Sequence, residues 1–273
     1  MPVPVDLAAV VQWRVPAATR QDLVLSKPLM RVLERIAVRW RERTLGREHR
    51  LEARGASGGG ISVLFTGPRG TGKSLAAEVL AHETRLDLYR VDLSHFASRD
   101  IGETQSNLSR LFEAAESAGA LLYFDEANAL FAKRSEVKDA HDRYATIETN
   151  FLLQRIERFA GIVILAIDRR EDIDPAFLRR LAFAMDFALP DMAERAEIWR
   201  RIFPPDTPVE GIDAERLARL PLCGADIRDI ARSSAALAAS EGQPVRMAHL
   251  LRAVIRECAR LDRQIDLSAI SRP

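Results

Sequence analysis

Two cysteines in 273 residues, Cys223 and Cys258, are too few for a disulfide framework, and they are not spaced like zinc ligands. A reducing compartment and a buried structural role for each thiol are the expectation. Charge of one sign is missing too. Lys plus Arg number 40 and Asp plus Glu 39, a formal net charge of +1, which gives no overall electrostatic footprint for DNA, RNA or an anionic lipid surface. Nowhere do eighteen apolar residues run together, and the start Met1-Pro2-Val3-Pro4-Val5-Asp6 has no basic stretch leading into an apolar core. Neither secretion nor membrane insertion is indicated, and the expected location is the cytoplasm. A chain of this length can bury a sizeable core, as one large domain or a large one plus a small one.

What the chain does contain is a complete GxxxxGK[ST] loop, Gly67-Pro68-Arg69-Gly70-Thr71-Gly72-Lys73-Ser74. It follows the apolar run Ile61-Ser62-Val63-Leu64-Phe65 and precedes a helical pattern in which Leu75, Ala76, Val79 and Leu80 share a face. Strand before and helix after turn a short pattern into a nucleotide-binding expectation. The glycines let backbone N–H groups turn toward a phosphate chain, and the helix N-terminus adds its positive dipole end. Lys73 is placed to reach the β- and γ-phosphates, and the Ser74 hydroxyl suits a Mg²⁺ ligand.

Around this loop, strand-like and helix-like segments alternate. Apolar runs at 61–65, 86–91, 120–124 and 162–166, with 183–187 as a last strand, alternate with helical patterns at 74–83, 103–117 and 143–159. Continuous apolar runs of this length suit buried parallel strands, so the expected fold class is α/β, a five-stranded parallel sheet with helices on both faces. Upstream, Leu29, Val32, Leu33, Ile36 and Trp40 mark an amphipathic helix from Lys27 to Arg43, and residues 1–26 read as an irregular arm. The mixed charges of 41–50 have the pattern of a solvated face. From Asp191 no strand run recurs. Helices near 191–203, 213–219, 225–240 and 247–261 imply a small all-helical C-terminal domain. The expected domains are therefore an arm at 1–26, a large α/β domain at 27–190, a helical domain at 191–265 and a tail at 266–273.

Asp125 and Glu126 close the run ending Tyr123-Phe124, which places two carboxylates at the carboxyl edge of a parallel strand, where ligands bind in open α/β sheets. Phosphoryl transfer to water needs a metal ion over the β- and γ-oxygens and a group that orients the water. Asp125 fits the first role and Glu126 the second. An Asp-Glu pair also suits the N-cap and first turn of a helix.

With these residues assembled, the chain resembles the AAA+ P-loop NTPases, AAA subgroup, from about Asp22 to Leu261. Ile101-Gly102-Glu103-Thr104-Gln105-Ser106-Asn107-Leu108 is similar to the subgroup's G-E-[ST]-E-x-N segment. Ile173-Asp174-Pro175-Ala176-Phe177-Leu178-Arg179-Arg180 is similar to its second region of homology, and Gly224-Ala225-Asp226-Ile227 to the segment of the helical lid that packs near the adenine. The segments 134–144, 152–157 and 179–183 look like those of AAA ATPases encoded with phage-tail-like contractile injection systems. The resemblance implies a Mg²⁺-dependent ATPase that binds ATP and ADP in a homo-oligomeric ring, commonly a hexamer, and acts on a protein client, here a component of such an injection system. No nucleic acid or membrane partner is expected. It also implies an arginine finger supplied to the neighbouring subunit, with Arg180 favoured over Arg179; the same arginines would complement a helix C-terminus.

The chain departs from the family pattern in three places. Asp168 stands where an Asn usually follows the fourth strand, and an ionised Asp can only accept and would repel a phosphate. Either it is protonated, or it points to Arg169, Arg170 or a neighbour's arginine, or it is an ordinary loop acid. Asp100 occupies the aromatic position of the pore loop, which argues against threading of an extended chain. Asn128 replaces a common interface acid, with a small expected effect. The competing functional readings are a nucleotide-gated scaffold with slow or no hydrolysis, because of Asp168, and a small-molecule kinase, which the lid segment and Arg179-Arg180 disfavour.

Overall fold

A computed structural model of the protein describes residues 7, 10–48, 60–92, 101–128, 150–173 and 175–260. Segments 98–100 and 134–144 and the tail at 266–273, on which the pore-loop, injection-system and tail expectations rest, lie outside the described residues. Two compact units divide the chain: Met1–Thr19, Lys27–Pro68 and Lys73–Phe187 in the first, Arg20–Ser26, Arg69–Gly72 and Ala188–Pro273 in the second.

The first unit contains, in chain order, β1 (Val11–Arg14), α1 (Lys27–Glu48), β2 (Ile61–Thr66), α2 (Lys73–Thr84), β3 (Asp87–Asp92), α3 (Ile101–Ala118), β4 (Ala120–Asp125), α4 over 150–158, β5 (Ile162–Ile167), the single turn α5 (Pro175–Leu178) and β6 (Phe183–Asp186). Every residue of β5 is buried, as are the first five of β4, so these strands need helices on both faces. Helix α2 packs on β3 and β4, α3 on β4, and α1 on α2 and β6. Phe112 of α3 locks this layer, its ring centroid 6.0 Å from that of Phe124 and 5.3 Å from that of Phe159. Such aromatic pairs contribute roughly 0.5–1.5 kcal/mol beyond the area they bury.

The sheet runs β1-β3-β4-β5-β2-β6. Its last five members are parallel and are the five runs named from sequence. The sixth strand corrects the reading of an irregular arm. β1 lies antiparallel on β3, with Val11 opposite Val91 and Trp13 opposite Tyr89. Four residues are too few to show a period of two. What recruits them is tertiary: the edge of β3 offers unpaired N–H and C=O groups, and Leu7 and Val11 enter the core. Trp13 Nε1 donates to Asp87 Oδ2 at 3.0 Å, and the backbone N–H groups of Ala17 and Ala18 donate to Glu78 Oε1 on α2 at 3.2 and 3.3 Å.

The second unit is helical: α6 (Met192–Arg201), α7 (Ala214–Ala218), α8 (Gly224–Ser240) and α9 (Met247–Arg260), with one isolated bridge between Val209 and Val245. Its helices start where capping chemistry places them. Asp191 accepts from the Glu194 N–H at 2.8 Å while Glu194 accepts from the Asp191 N–H at 3.0 Å, a reciprocal capping box. Trp199, Leu217, Leu220, Ile227, Ile230, Leu250 and Val254 fill its core. His249 ties α8 to α9: Nδ1 accepts from the Arg246 N–H at 3.0 Å, and Nε2 lies 3.0 Å from Glu241, which also receives Arg252 at 2.5 Å.

Candidate functional site

Because β2, β5 and β4 are adjacent and parallel, their carboxyl ends share one edge, and the loops leaving them bring Lys73, Asp168 and Asp125 to that edge. Residues 67–72 form the turn from β2 into α2. Gly67 has φ +133°, and a Cβ there would strike the Phe187 carbonyl oxygen. Gly70 has φ +79°, and a Cβ there would strike the Cys223 sulfur. Both positions combine a backbone geometry that L side chains avoid with no room for one, so glycine is required on two counts. Gly72, at φ +101°, completes the turn; Pro68 and Arg69 are exposed on it and Thr71 is buried. Within the second unit the Ala225 N–H donates to the Gly70 carbonyl at 3.1 Å, and Gly224 opens α8 beside it. Cys223 caps that helix through its sulfur, and burial pushes its thiol pKa up, which suits a structural role.

Lys73 is buried, an expensive place for an ammonium unless it is partnered. Its Nζ donates to the carbonyls of Gly67 and, at 3.1 Å, Pro68, and lies 3.5 Å from Asp168 Oδ1. Within this chain the Asp168 carboxylate faces Lys73, and Arg170 pairs instead with Asp186 at 2.8 Å. Asn128 holds Asp168 in place, because its Oδ1 accepts the Asp168 N–H at 2.9 Å. That bond ties the turn after β4 to the loop after β5.

Asp125 ends β4 half-buried and fully engaged. Its Oδ2 accepts from Arg90 Nε and Nη2 of β3 at 3.1 and 2.5 Å, and its Oδ1 accepts from the Glu126 N–H at 3.1 Å and the Tyr123 hydroxyl at 3.3 Å. Tyr123 in turn lies 3.0 Å from Ser74 Oγ at the start of α2. Burial, and after it the Asp125 charge, push the tyrosine pKa up, so the hydroxyl stays neutral. Sequence reasoning missed Arg90 and Tyr123. The signal was present: Arg90 and Tyr123 are register partners, and Tyr123 and Asp125, two apart, share a strand face. Pairing of β3 with β4 had to be known first.

Glu126 is exposed at φ +50°, a sparsely populated backbone for a non-glycine residue. Such strain persists where surrounding structure imposes it, and it clusters at functional positions. Here the buried Ala127 N–H, bonded to the Ala166 carbonyl at 2.9 Å, holds the turn. Arg180 Nε lies 3.0 Å from Glu157, while Arg179 is exposed with no ion pair to a described residue.

Residues 63–190 match the model of the ATPase family associated with various cellular activities (AAA). This segment is similar to the AAA domain. The matched segment carries Lys73, Ser74, Asp125, Glu126, Asp168 and both arginines. The chain is 32% identical over 193 residues to an uncharacterized AAA family ATPase, y4kL, of Sinorhizobium fredii, covering 71% of this chain and 57% of that protein. It is 33% identical over 190 residues to the ATP-dependent zinc metalloprotease FtsH 3 of Sphaerobacter thermophilus, covering 66% and 38%. It is 30% identical over 204 residues to a proteasome-activating nucleotidase of Saccharolobus islandicus, covering 71% and 52%. The chain thus spans roughly 38–57% of the length of these relatives.

The donor set fits a nucleotide with a hard divalent cation. The cradle is one that a Cβ would fill, Lys73 is the cation beneath it, and two oxygen donors, Ser74 and Asp125, are joined through one hydroxyl. Among the described residues no cluster of three or more His, Cys, Asp or Glu could hold a metal alone. Mg²⁺ needs none, since it keeps waters and takes phosphate oxygens beside one or two protein ligands. No helix among the described residues is long and apolar enough to cross a membrane.

Proposed function

We propose that the protein is a Mg²⁺-dependent ATPase that converts ATP to ADP and phosphate in a ring of identical subunits. The observation that carries this reading is the convergence of Lys73, Ser74, Asp125 and Asp168 on one sheet edge, beside a glycine turn shaped for phosphate. Backbone N–H groups of 67–74 and Lys73 hold the phosphates, Ser74 and Asp125 hold the cation, and Glu126 orients the attacking water. On this reading residues 27–190 are assigned to the large domain and 191–265 to the lid, and the resemblance assigns Gly224 and Ala225 to adenine binding. An arginine acts in trans. Arg180 is engaged by Glu157, so Arg179 becomes the first candidate for that finger, reversing the preference from sequence.

The client is a protein. The resemblance at 152–157 and 179–183 supports a component of a phage-tail-like contractile injection system, handled in the cytoplasm during assembly or recycling. A second reading has one observation behind it. Asp168 competes with nucleotide for Lys73, as a scaffold that binds ATP and hydrolyses it slowly would require.

Steady-state ATP turnover of the purified chain against Glu126→Gln separates the two. The enzyme reading expects a fall of a hundredfold or more, the scale of general-base catalysis, with binding retained. A wild-type rate no faster than that of the variant would sink it.

A further inference from the structure

Ser74 and Asp125 do not meet; a buried hydroxyl stands between them. Tyr123 is 1% exposed, in a strand otherwise built of Ala120, Leu121, Leu122, Phe124 and the terminal Asp125. A phenylalanine would fill the same volume. A hydroxyl at such a position is costly unless both its roles are used, and here both are: Ser74 Oγ lies at 3.0 Å and Asp125 Oδ1 at 3.3 Å.

The direction of those bonds follows from what a cation demands. A serine that ligates through an oxygen lone pair keeps its proton and must donate it elsewhere. Tyr123 Oη is the acceptor at that distance, and its own proton then goes to Asp125, which as a carboxylate only accepts. On this assignment the bonds run Ser74 to Tyr123 to Asp125, which leaves the serine a lone pair for a cation and ties both oxygens to one buried hydroxyl. Arg90, on Oδ2, restrains the rotation of the same carboxylate from its other side.

We propose that Tyr123 is a positioning residue for the divalent cation, orienting Ser74 and Asp125 from behind while touching neither metal nor nucleotide. The proposal rests on the reading that Mg²⁺ and nucleotide bind at this edge. Groups that orient metal ligands in this way are typically worth about ten- to a hundredfold in metal affinity.

The test is the affinity of a fluorescent ADP analogue for the full chain, in EDTA and along a Mg²⁺ titration, for wild type and Tyr123→Phe. The expected result is unchanged affinity in EDTA, which also shows the variant to be folded, with the half-saturating Mg²⁺ concentration raised about tenfold. In a Ser74→Ala background the same substitution should have a smaller further effect, since the serine arm is gone and only the bond to Asp125 is left to lose. An unmoved Mg²⁺ midpoint overturns the proposal. So does an equal loss in EDTA and in Mg²⁺, which would mark Tyr123 as a packing residue. A wild type that binds no ADP under either condition overturns the nucleotide reading beneath it, and the two failures are told apart by the EDTA measurement alone.

Discussion

At the scale of single residues, the site is a set of charges already compensated inside the protein. Lys73 faces Asp168, and Asp125 faces Arg90, so both charges are partnered within the chain. On the proposed reading, a phosphate chain entering the loop has to take Lys73 from Asp168. Asp168→Asn removes that competition and keeps the side-chain volume. The expected outcome is ADP binding tighter by about two- to fivefold, the range that a partly exposed ion pair supplies. Calorimetric titration measures it, and equal or weaker binding would show that Asp168 helps to hold the nucleotide. Lys73→Ala should lose binding altogether; submicromolar ATP affinity in that variant would contradict the assignment of the loop.

At the scale of elements, the edge strand and the phosphate turn make different demands. β1 was illegible in the sequence because four residues bounded by proline-containing segments have too little periodicity, and because its partner β3 is some seventy-five residues away. Its stabilisation comes from burying Leu7 and Val11 and from covering the open edge. At about 1.5–3 kcal/mol per buried aliphatic side chain, deleting residues 1–19 should lower the melting temperature on the order of 10 °C. A change below about 2 °C in a thermal melt would mean that the strand contributes nothing. The glycine turn from β2 into α2, by contrast, was legible. Gly67→Ala tests the physical reason: a Cβ meets the Phe187 carbonyl at a φ that alanine avoids, so the variant should melt lower and bind ADP at least tenfold more weakly. Wild-type affinity in a stably folded Gly67→Ala would refute the fit.

At the scale of the whole molecule, the two units have different sources of stability and different tests. In the helical unit Glu241 receives Arg252 and His249 where α8 meets α9, and those hydrogen bonds hold its pKa below the ordinary 4.5. A depressed carboxylate stabilises the fold above its unfolded pKa, and this stabilisation disappears as pH falls through the folded value. Melting profiles of wild type and Glu241→Gln should therefore differ at pH 7 and converge below pH 4.5; parallel profiles across that range would remove Glu241 from the account. For the proposed ring, turnover per subunit should rise with protein concentration. Mixing Arg179→Ala with Glu126→Gln should restore activity that neither has alone, because the composite site draws one residue from each neighbour. No restoration at any ratio would place the arginine's role within its own subunit.

The local pattern of residues was enough to place the glycine turn between β2 and α2, the five parallel strands, the acidic pair at the end of β4 and the helical character of 191–260. Each is a short-range signal: a fixed spacing of glycine, lysine and serine, an apolar run of strand length, or a cap before an amphipathic stretch. Pairing across the sheet decided the rest. Whether Asp168 turned to Lys73 or to an arginine, whether Asn128 held that loop, and whether Arg90 and Tyr123 belonged to the site all depended on which strands lie side by side. Strand order is set by burial of both sheet faces over distances that no local spacing encodes, and it is this long-range packing that places Asp125 beside Arg90 and Tyr123 beside Ser74.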